Sequence, residues 1–229
     1  EIELHRYFSS VGTKEQQDYL DKRLFAALPN SEDFVLPEVE NGLVLIGHVA
    51  QHLRSGLGLR QLVDWLMYAE ANLTDKFWSE EFSIPVKKCG FEKLAKVSTA
   101  VCRKYLGLSL DISWCDDVDD SLVDLFMEYI MDQGNFGRKH KSAERDSVTV
   151  LNCFRNPVAL FKYLQAGGKT HWKLARTNKF FGCFAWIYQI GHIIKMGFTR
   201  KVGVKNLKKI HDESKDIVKL MSELEIKEY

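Results

Sequence analysis

The sequence lacks most of the local signals that identify a common enzyme class or a disulfide-stabilised fold. Its 5 cysteines are scattered and odd in number, and none forms a Cys-x-x-Cys pair. Neither a zinc knuckle nor a disulfide framework is therefore indicated, and reduced thiols in a cytoplasmic protein are expected. A Gly-x-Ser-x-Gly elbow is also missing, so nothing points to a hydrolase of that kind.

The sequence has a net charge close to zero and no long uninterrupted apolar run. The 32 basic and 31 acidic residues give a formal charge of +1, which does not favour wholesale neutralisation of a nucleic-acid backbone. The most apolar segment, 180–198, contains Gln189, His192 and Lys195. Its uninterrupted part is shorter than the ~18 to 20 residues that a membrane span needs. We predict no transmembrane segment, and expect a helix that is buried or docked on a partner protein or a second copy, with an interfacial membrane helix as the alternative.

Apolar periodicity predicts a mainly α fold. With 229 residues the chain is long enough for a sizeable core, and its apolar side chains recur at helical spacing over most of its length. Residues 1–8 instead alternate between polar and apolar, which predicts a short N-terminal strand or hairpin. Pro157 is expected to open a helix that ends at Gly167-Gly168.

Two histidines one helical turn apart, His48 and His52, form the first candidate site. Spacing of i, i+4 places both imidazoles on one helix face, as zinc-binding helices require. A metalloprotease helix needs Glu directly after the first histidine to activate water, but Val49 stands there. A hydrogen-bonded structural pair, a contact with phosphate or another anion, and a metal site remain open.

Arg60 and Asp64 follow on the next predicted helix, again one turn apart. A cation near a helix N-terminus opposes the helix dipole, so Arg60 is expected to hold something anionic. Asp64, another carboxylate or a substrate phosphate would serve. The preceding Gly56-Leu57-Gly58 lacks the P-loop pattern and does not follow a strand, so it is interpreted as a tight interhelical turn.

Two basic stretches complete the candidates. Gly134-Asn135-Phe136-Gly137 is typical of a helix end, and Arg138 begins a cluster of four basic or histidine residues that can meet phosphates. Further along, lysines and arginine at 169–179 surround His171 and Trp172. Basic residues around aromatics can bind single-stranded nucleic acid, although a solvated helix face explains the same pattern.

Several of these pieces together resemble the bacterial family called uncharacterised nucleotidyltransferases, of the polymerase-β-like superfamily. The matching pieces are Ile2-Glu3-Leu4-His5, His48-x-x-x-His52, Gly56-Leu-Gly-Leu-Arg60-Gln-Leu-x-Asp64-Trp65 and Gly134-Asn-Phe-Gly137. The resemblance implies that residues 1–30 are the end of a palm-like region and that 31–229 form a helical C-terminal domain. It covers the chain from Glu1 to about Arg138.

The resemblance also implies chemistry. Such enzymes hold two Mg²⁺ ions with three carboxylates, which align an acceptor hydroxyl with the α-phosphate of a nucleoside triphosphate. Glu3 matches the third carboxylate and is the candidate catalytic residue and metal ligand. No Gly-Ser turn with Asp-x-Asp precedes Glu3, so we expect residues 1–229 alone to be inactive, with that half supplied by a longer chain or in trans.

In the intact enzyme, the candidate substrate-binding residues would line or buttress the phosphate-binding cleft; they are His48, His52, Arg60, Asp64, Asn135 and Arg138. The acceptor stays open. The main alternative is a non-catalytic helical interaction module, such as one half of a toxin–antitoxin-like pair. A histidine-based metallohydrolase is a more distant alternative.

Overall fold

The computed structural model describes residues 12–28, 35–134, 157–199 and 219–226. These residues are mainly helical and contain no strand, so the predicted mainly α fold is confirmed for them. The predicted N-terminal strand or hairpin and the predicted boundary after residue 30 lie outside the described residues. The chain divides into two compact units, with Glu1–His140 and Ile217–Tyr229 in unit 1 and Lys141–Asp216 in unit 2.

The described part of unit 1 is built from helices, as the apolar periodicity predicts. They are α1 (Lys14–Ala27), α2 (Glu38–Ser55), α3 (Leu59–Asn72), α4 (Asp75–Phe77), a π-helical turn (Trp78–Phe82), α5 (Ser83–Lys88), α6 (Glu92–Tyr105) and α7 (Asp120–Gln133). A further helical turn covers residues 219–223. Local side chains set the ends: Thr13 and Gln16 cap α1 reciprocally, through the Thr13 N–H to Gln16 Oε1 (2.7 Å) and the Gln16 N–H to Thr13 Oγ1 (3.3 Å).

The core of unit 1 fixes α3 against α6. Trp65 is fully buried, and its Nε1 donates a hydrogen bond to Thr99 Oγ1 at 3.0 Å. This bond satisfies two buried polar groups that would otherwise be costly. Trp65 is therefore a core residue that anchors the helix carrying Arg60 and Asp64.

Helix α2 approaches α3 closely because Gly42 has no side chain. A Cβ atom there would lie 2.3 Å from Tyr68 Oη. Tyr68 cannot move aside freely, since its hydroxyl donates to the carbonyl oxygen of Glu38 at 2.8 Å. Burial, together with the nearby carboxylates of Glu38 and Glu40, raises the pKa of Tyr68, which keeps its hydroxyl protonated as a donor.

The buried cysteines of unit 1 are packing residues. Cys89, Cys102 and Cys115 are buried, and none is in a disulfide. Burial raises the pKa of Cys89 and of Cys102 to about 12. Thiols with such pKa values are not reactive nucleophiles at neutral pH.

Unit 2 contains α8 (Pro157–His171), α9 (Lys173–Thr177), α10 (Lys179–Cys183) and α11 (Ala185–Thr199). The prediction that α8 ends at Gly167-Gly168 was wrong, because the helix continues to His171. A Cβ at Gly168 would lie 1.8 Å from the carbonyl oxygen of Ala185. The absence of a side chain at Gly168 therefore allows α8 to pack closely against α11. No helix among the described residues is long and apolar enough to cross a bilayer.

Candidate functional site

The corner between α2 and α3 carries the four described candidate residues. Gly56 adopts φ 102°, a left-handed conformation that favours glycine. Leu57 is fully buried, and the Gly58 N–H donates to Gln61 Oε1 at 3.1 Å, which caps α3. The predicted tight interhelical turn is confirmed, and it holds the end of α2 beside the start of α3.

His48 and His52 face each other on α2. Their Nε2 atoms are 2.9 Å apart, and their ring centroids are 4.4 Å apart with an interplanar angle of 80°. His48 is exposed and His52 half-buried, while Val49 and Leu53 on the same helix are buried in the core. One imidazole donates and the other accepts across this contact, and the tautomer of each ring decides which one donates.

Arg60 and Asp64 are both exposed on α3. Within the described parts of the chain, neither side chain takes part in an ion pair, so the Arg60–Asp64 buttress considered from the sequence is not formed. Arg60 is the second residue of α3, where the helix dipole already places positive potential. The positive charge of the Arg60 guanidinium and the positive end of the helix dipole therefore both attract an anion.

Helix α7 meets the end of α2 at the same corner. Tyr129 Oη donates to the carbonyl oxygen of Leu53 at 2.7 Å, one of the carbonyls that the last turn of α2 leaves without a helical partner. Helix α7 then ends at Gly134, with φ 75°. Asn135 and Arg138 follow directly but lie outside the described residues, so their predicted role stays a prediction. Tyr129 was not predicted, because an aromatic residue on an amphipathic helix gives no sequence signal for such a contact.

The described residues do not fit a two-Mg²⁺ centre. In 12–28, 35–134, 157–199 and 219–226, no group of three or more His, Cys, Asp or Glu side chains is arranged to hold a metal ion. Mg²⁺ prefers several oxygen ligands in octahedral geometry. Glu3, the predicted metal ligand, lies outside the described residues.

The basic and aromatic stretch of unit 2 is arranged for packing between helices. Trp172 stacks on Tyr188 of α11 with centroids 5.3 Å apart, and His171 stacks on His192 at 4.7 Å. One face of each ring is thus covered by its partner from α11. The arrangement favours packing between helices, which the sequence did not predict, over stacking on nucleic-acid bases.

Comparisons with models of known families, with curated proteins and with solved structures found no match. The resemblance to nucleotidyltransferases therefore stays a prediction.

Proposed function

We propose that this chain is the helical region of a nucleotidyltransferase, and that its α2–α3 corner binds a phosphate of the nucleoside triphosphate or of the acceptor. The proposal rests on the position of Arg60. Its side chain is an exposed cation at the N-terminus of α3, and no described carboxylate neutralises it. A guanidinium can hold a phosphate through two parallel hydrogen bonds. The backbone start of α3 adds to the same attraction.

The other corner residues have separate roles in this proposal. His48 and His52 line the corner and offer imidazole N–H donors, whereas Asp64 offers an acceptor for a hydroxyl one turn further along α3. Mg²⁺ is left to Glu3 and to carboxylates outside the described residues. The described residues bind and orient phosphate and carry no step of nucleotidyl transfer themselves.

A thermal-shift comparison tests this function. We expect Mg²⁺ with a nucleoside triphosphate to raise the melting temperature of a protein extended upstream through its native reading frame, but not that of residues 1–229. At a ligand concentration of 100 Kd, mass action stabilises the folded state by about 2.7 kcal/mol. Glu3→Gln should abolish the shift, and Arg60→Ala should weaken binding about tenfold, since a charged hydrogen bond is worth ~1.5 to 3 kcal/mol.

Lys76→Ala is the matched control, because Lys76 is an exposed cation of α4, beyond the opposite end of α3. It should leave the shift unchanged. Nucleotidyl transfer by residues 1–229, or an extended protein whose affinity is indifferent to Arg60→Ala, would contradict the proposal.

A non-catalytic interaction module is the second candidate function, favoured by the apolar surface of α10 and α11. Ile187, Ile190 and Ile194 share one face of α11 and are 50%, 37% and 53% exposed. Phe180, on α10, is 68% exposed. Exposed apolar residues that form a contiguous face are typical of protein interfaces.

If this surface is used between copies, the chain should self-associate in sedimentation-velocity measurements, with the dimer fraction rising with protein concentration. Replacing Ile187 and Ile194 with Glu should shift the chain to monomer, because two charges would be buried without partners. Met67→Glu, at an apolar residue of α3 that is 63% exposed, is the control and should not change association. A wild-type chain that stays monomeric at high concentration counts against self-association.

A further inference from the structure

Charge is distributed unevenly along this sequence. No Asp or Glu occurs from Ser147 to His211, whereas 12 of the 32 Lys and Arg residues fall within that range. The rest of the chain therefore has an excess of acidic residues, which brings the total charge down to +1. The described part of this range, 157–199, belongs to unit 2 and contains 6 Lys or Arg residues. This helical segment is strongly cationic and has no carboxylate side chain of its own, an asymmetry that is typical of proteins that bind polyanions or membranes.

Helix α11, within the same segment, has an apolar side that faces away from α8. Ala185 and Gln189 are buried against the two glycines of α8. Successive residues of an α-helix are about 100° apart around its axis, so the exposed Ile187 and Ile194 lie on the opposite side of α11. A Cβ at Gly191, also on that side, would meet nothing within 4 Å. The apolar side of α11 is therefore open.

Two phenylalanines extend this apolar surface at the start of α11. Phe180 and Phe184 are both exposed, and their ring centroids are 5.5 Å apart. Phe184 directly precedes α11, and its carbonyl oxygen accepts a hydrogen bond from the Ile187 N–H at 3.1 Å. Exposed lysines stand next to exposed apolar residues along the chain, with Lys162 after Phe161 and Lys195 after Ile194. The segment thus combines a continuous apolar surface with positive charge.

We propose that the α10–α11 surface of unit 2 docks on an anionic lipid bilayer, with its apolar side chains among the headgroups and its lysines at the lipid charges. Helices that lie in a membrane interface combine large apolar side chains on one side with Lys and Arg beside them. Each basic residue near an anionic leaflet adds to the attraction. Helix α11 has 15 residues, fewer than the ~20 that a span requires, so in this proposal it lies along the surface.

Charge and side-chain type favour a lipid over two other occupants. A second copy would bring an identical cationic segment to the interface, and like charges that face each other repel. A nucleic acid matches the charge, but the open side of α11 is aliphatic. The rings of His171 and Trp172 are already stacked on α11, whereas single-stranded bases bind to open aromatic rings. An anionic bilayer matches both the charge and the apolar surface.

The proposed membrane docking goes beyond nucleotidyl transfer and does not depend on it. It needs neither Glu3 nor a nucleotide, and it assigns to a lipid the surface that an interaction module would offer to a second copy. A chain that binds vesicles without any response to nucleoside triphosphates would support membrane docking while counting against phosphate binding at the α2–α3 corner.

Co-sedimentation of the full chain with phosphatidylcholine vesicles, without nucleotide, tests the proposal. We expect binding when the vesicles contain about 30% phosphatidylserine, and at least about a hundredfold weaker binding to pure phosphatidylcholine, because the anionic lipid supplies the attraction. Ile187→Gln combined with Ile194→Gln should weaken binding at least about tenfold, since about half of each isoleucine surface is available for burial. Lys162→Gln combined with Lys195→Gln should weaken it about fivefold for each lysine.

Unit 1 supplies a matched control for each pair. Met67→Gln with Ile84→Gln removes two apolar side chains of unit 1 that are at least as exposed as the isoleucines. Lys22→Gln with Lys76→Gln removes two exposed lysines of unit 1. Both control pairs should leave vesicle binding unchanged. Circular dichroism and thermal unfolding check that every variant keeps its helices.

Several outcomes would overturn the proposal. They are absent vesicle binding, equal binding to pure phosphatidylcholine, binding that is indifferent to the isoleucine pair, and equal weakening by the control pairs. A chain that dimerises but does not bind vesicles would assign the surface to a second copy instead. Tight binding of an oligothymidylate without binding to vesicles would assign it to nucleic acid.

Discussion

Gly168→Ala is expected to destabilise unit 2 by about 3 kcal/mol, the upper end of the ~1 to 3 kcal/mol typical of overpacking. The added Cβ would lie 1.8 Å from the carbonyl oxygen of Ala185 and 2.9 Å from its Cα. These are backbone atoms of α11, so no side-chain rotation relieves the clash and the two helices must separate. Urea denaturation of the full chain measures the loss, and hydrogen exchange should localise it to 157–199.

Gly191→Ala is the matched control within the same unit. A Cβ at Gly191 meets nothing within 4 Å, and the residue lies inside α11. Since alanine is ~0.8 to 1.0 kcal/mol better than glycine in a helix, this variant should be neutral or slightly stabilising at protein concentrations too low for association. Equal effects of the two substitutions would show that α8 and α11 do not approach as closely as Gly168 indicates.

Gly167 and Gly168 in α8 show why a local sequence pattern does not always predict where a helix ends. A Gly-Gly pair is a common helix end, and the local pattern contains no reason to extend α8 to His171. The reason lies at Ala185, 17 positions away, where the backbone of α11 leaves no space for a Cβ. Periodicity predicts the face of a helix, but it does not reveal which distant element packs on it.

The sequence predicted local structure correctly where residues close together in the chain determine it. The Gly56-Leu57-Gly58 pattern predicted the tight turn between the helices that carry His48, His52, Arg60 and Asp64, and the structure has that turn. The pairing of those four side chains was not predictable, because it depends on rotamers. The structure pairs the histidines with each other and leaves Arg60 and Asp64 without an ion pair to any described residue.

Removing Arg23 is the second substitution with a large expected effect. Glu40 is 7% exposed on α2, and Arg23 of α1 donates to its Oε1 from both Nη2 and Nε, the latter at 2.8 Å. Burial lowers the pKa of Arg23, but its hydrogen bonds to Glu40 and Tyr19 outweigh this and leave the pKa above its ordinary value. The guanidinium therefore stays charged and compensates the buried carboxylate.

Arg23→Met should lower the free energy of unfolding of unit 1 by about 2 to 3 kcal/mol, since it leaves the Glu40 carboxylate buried without its cation. Breaking a fully buried pair costs ~3 to 5 kcal/mol, and the smaller value follows because the Arg23 side chain is 33% exposed and water partly replaces it. Thermal and urea unfolding at neutral pH measure the change. Lys22→Met, at an exposed neighbour on α1, should stay within ~0.5 kcal/mol.

A double-mutant cycle separates the buried charge from lost packing. Helix α1 buries only Leu20 and Leu24 among its described residues, so the contact with Glu40 contributes much of the specific attachment of α1 to α2. Arg23→Met combined with Glu40→Met should recover most of the loss, because two apolar side chains of similar volume need no compensation. If the double variant is instead as unstable as the sum of the single ones, the ion pair is not coupled, and α1 is held by its apolar contacts alone.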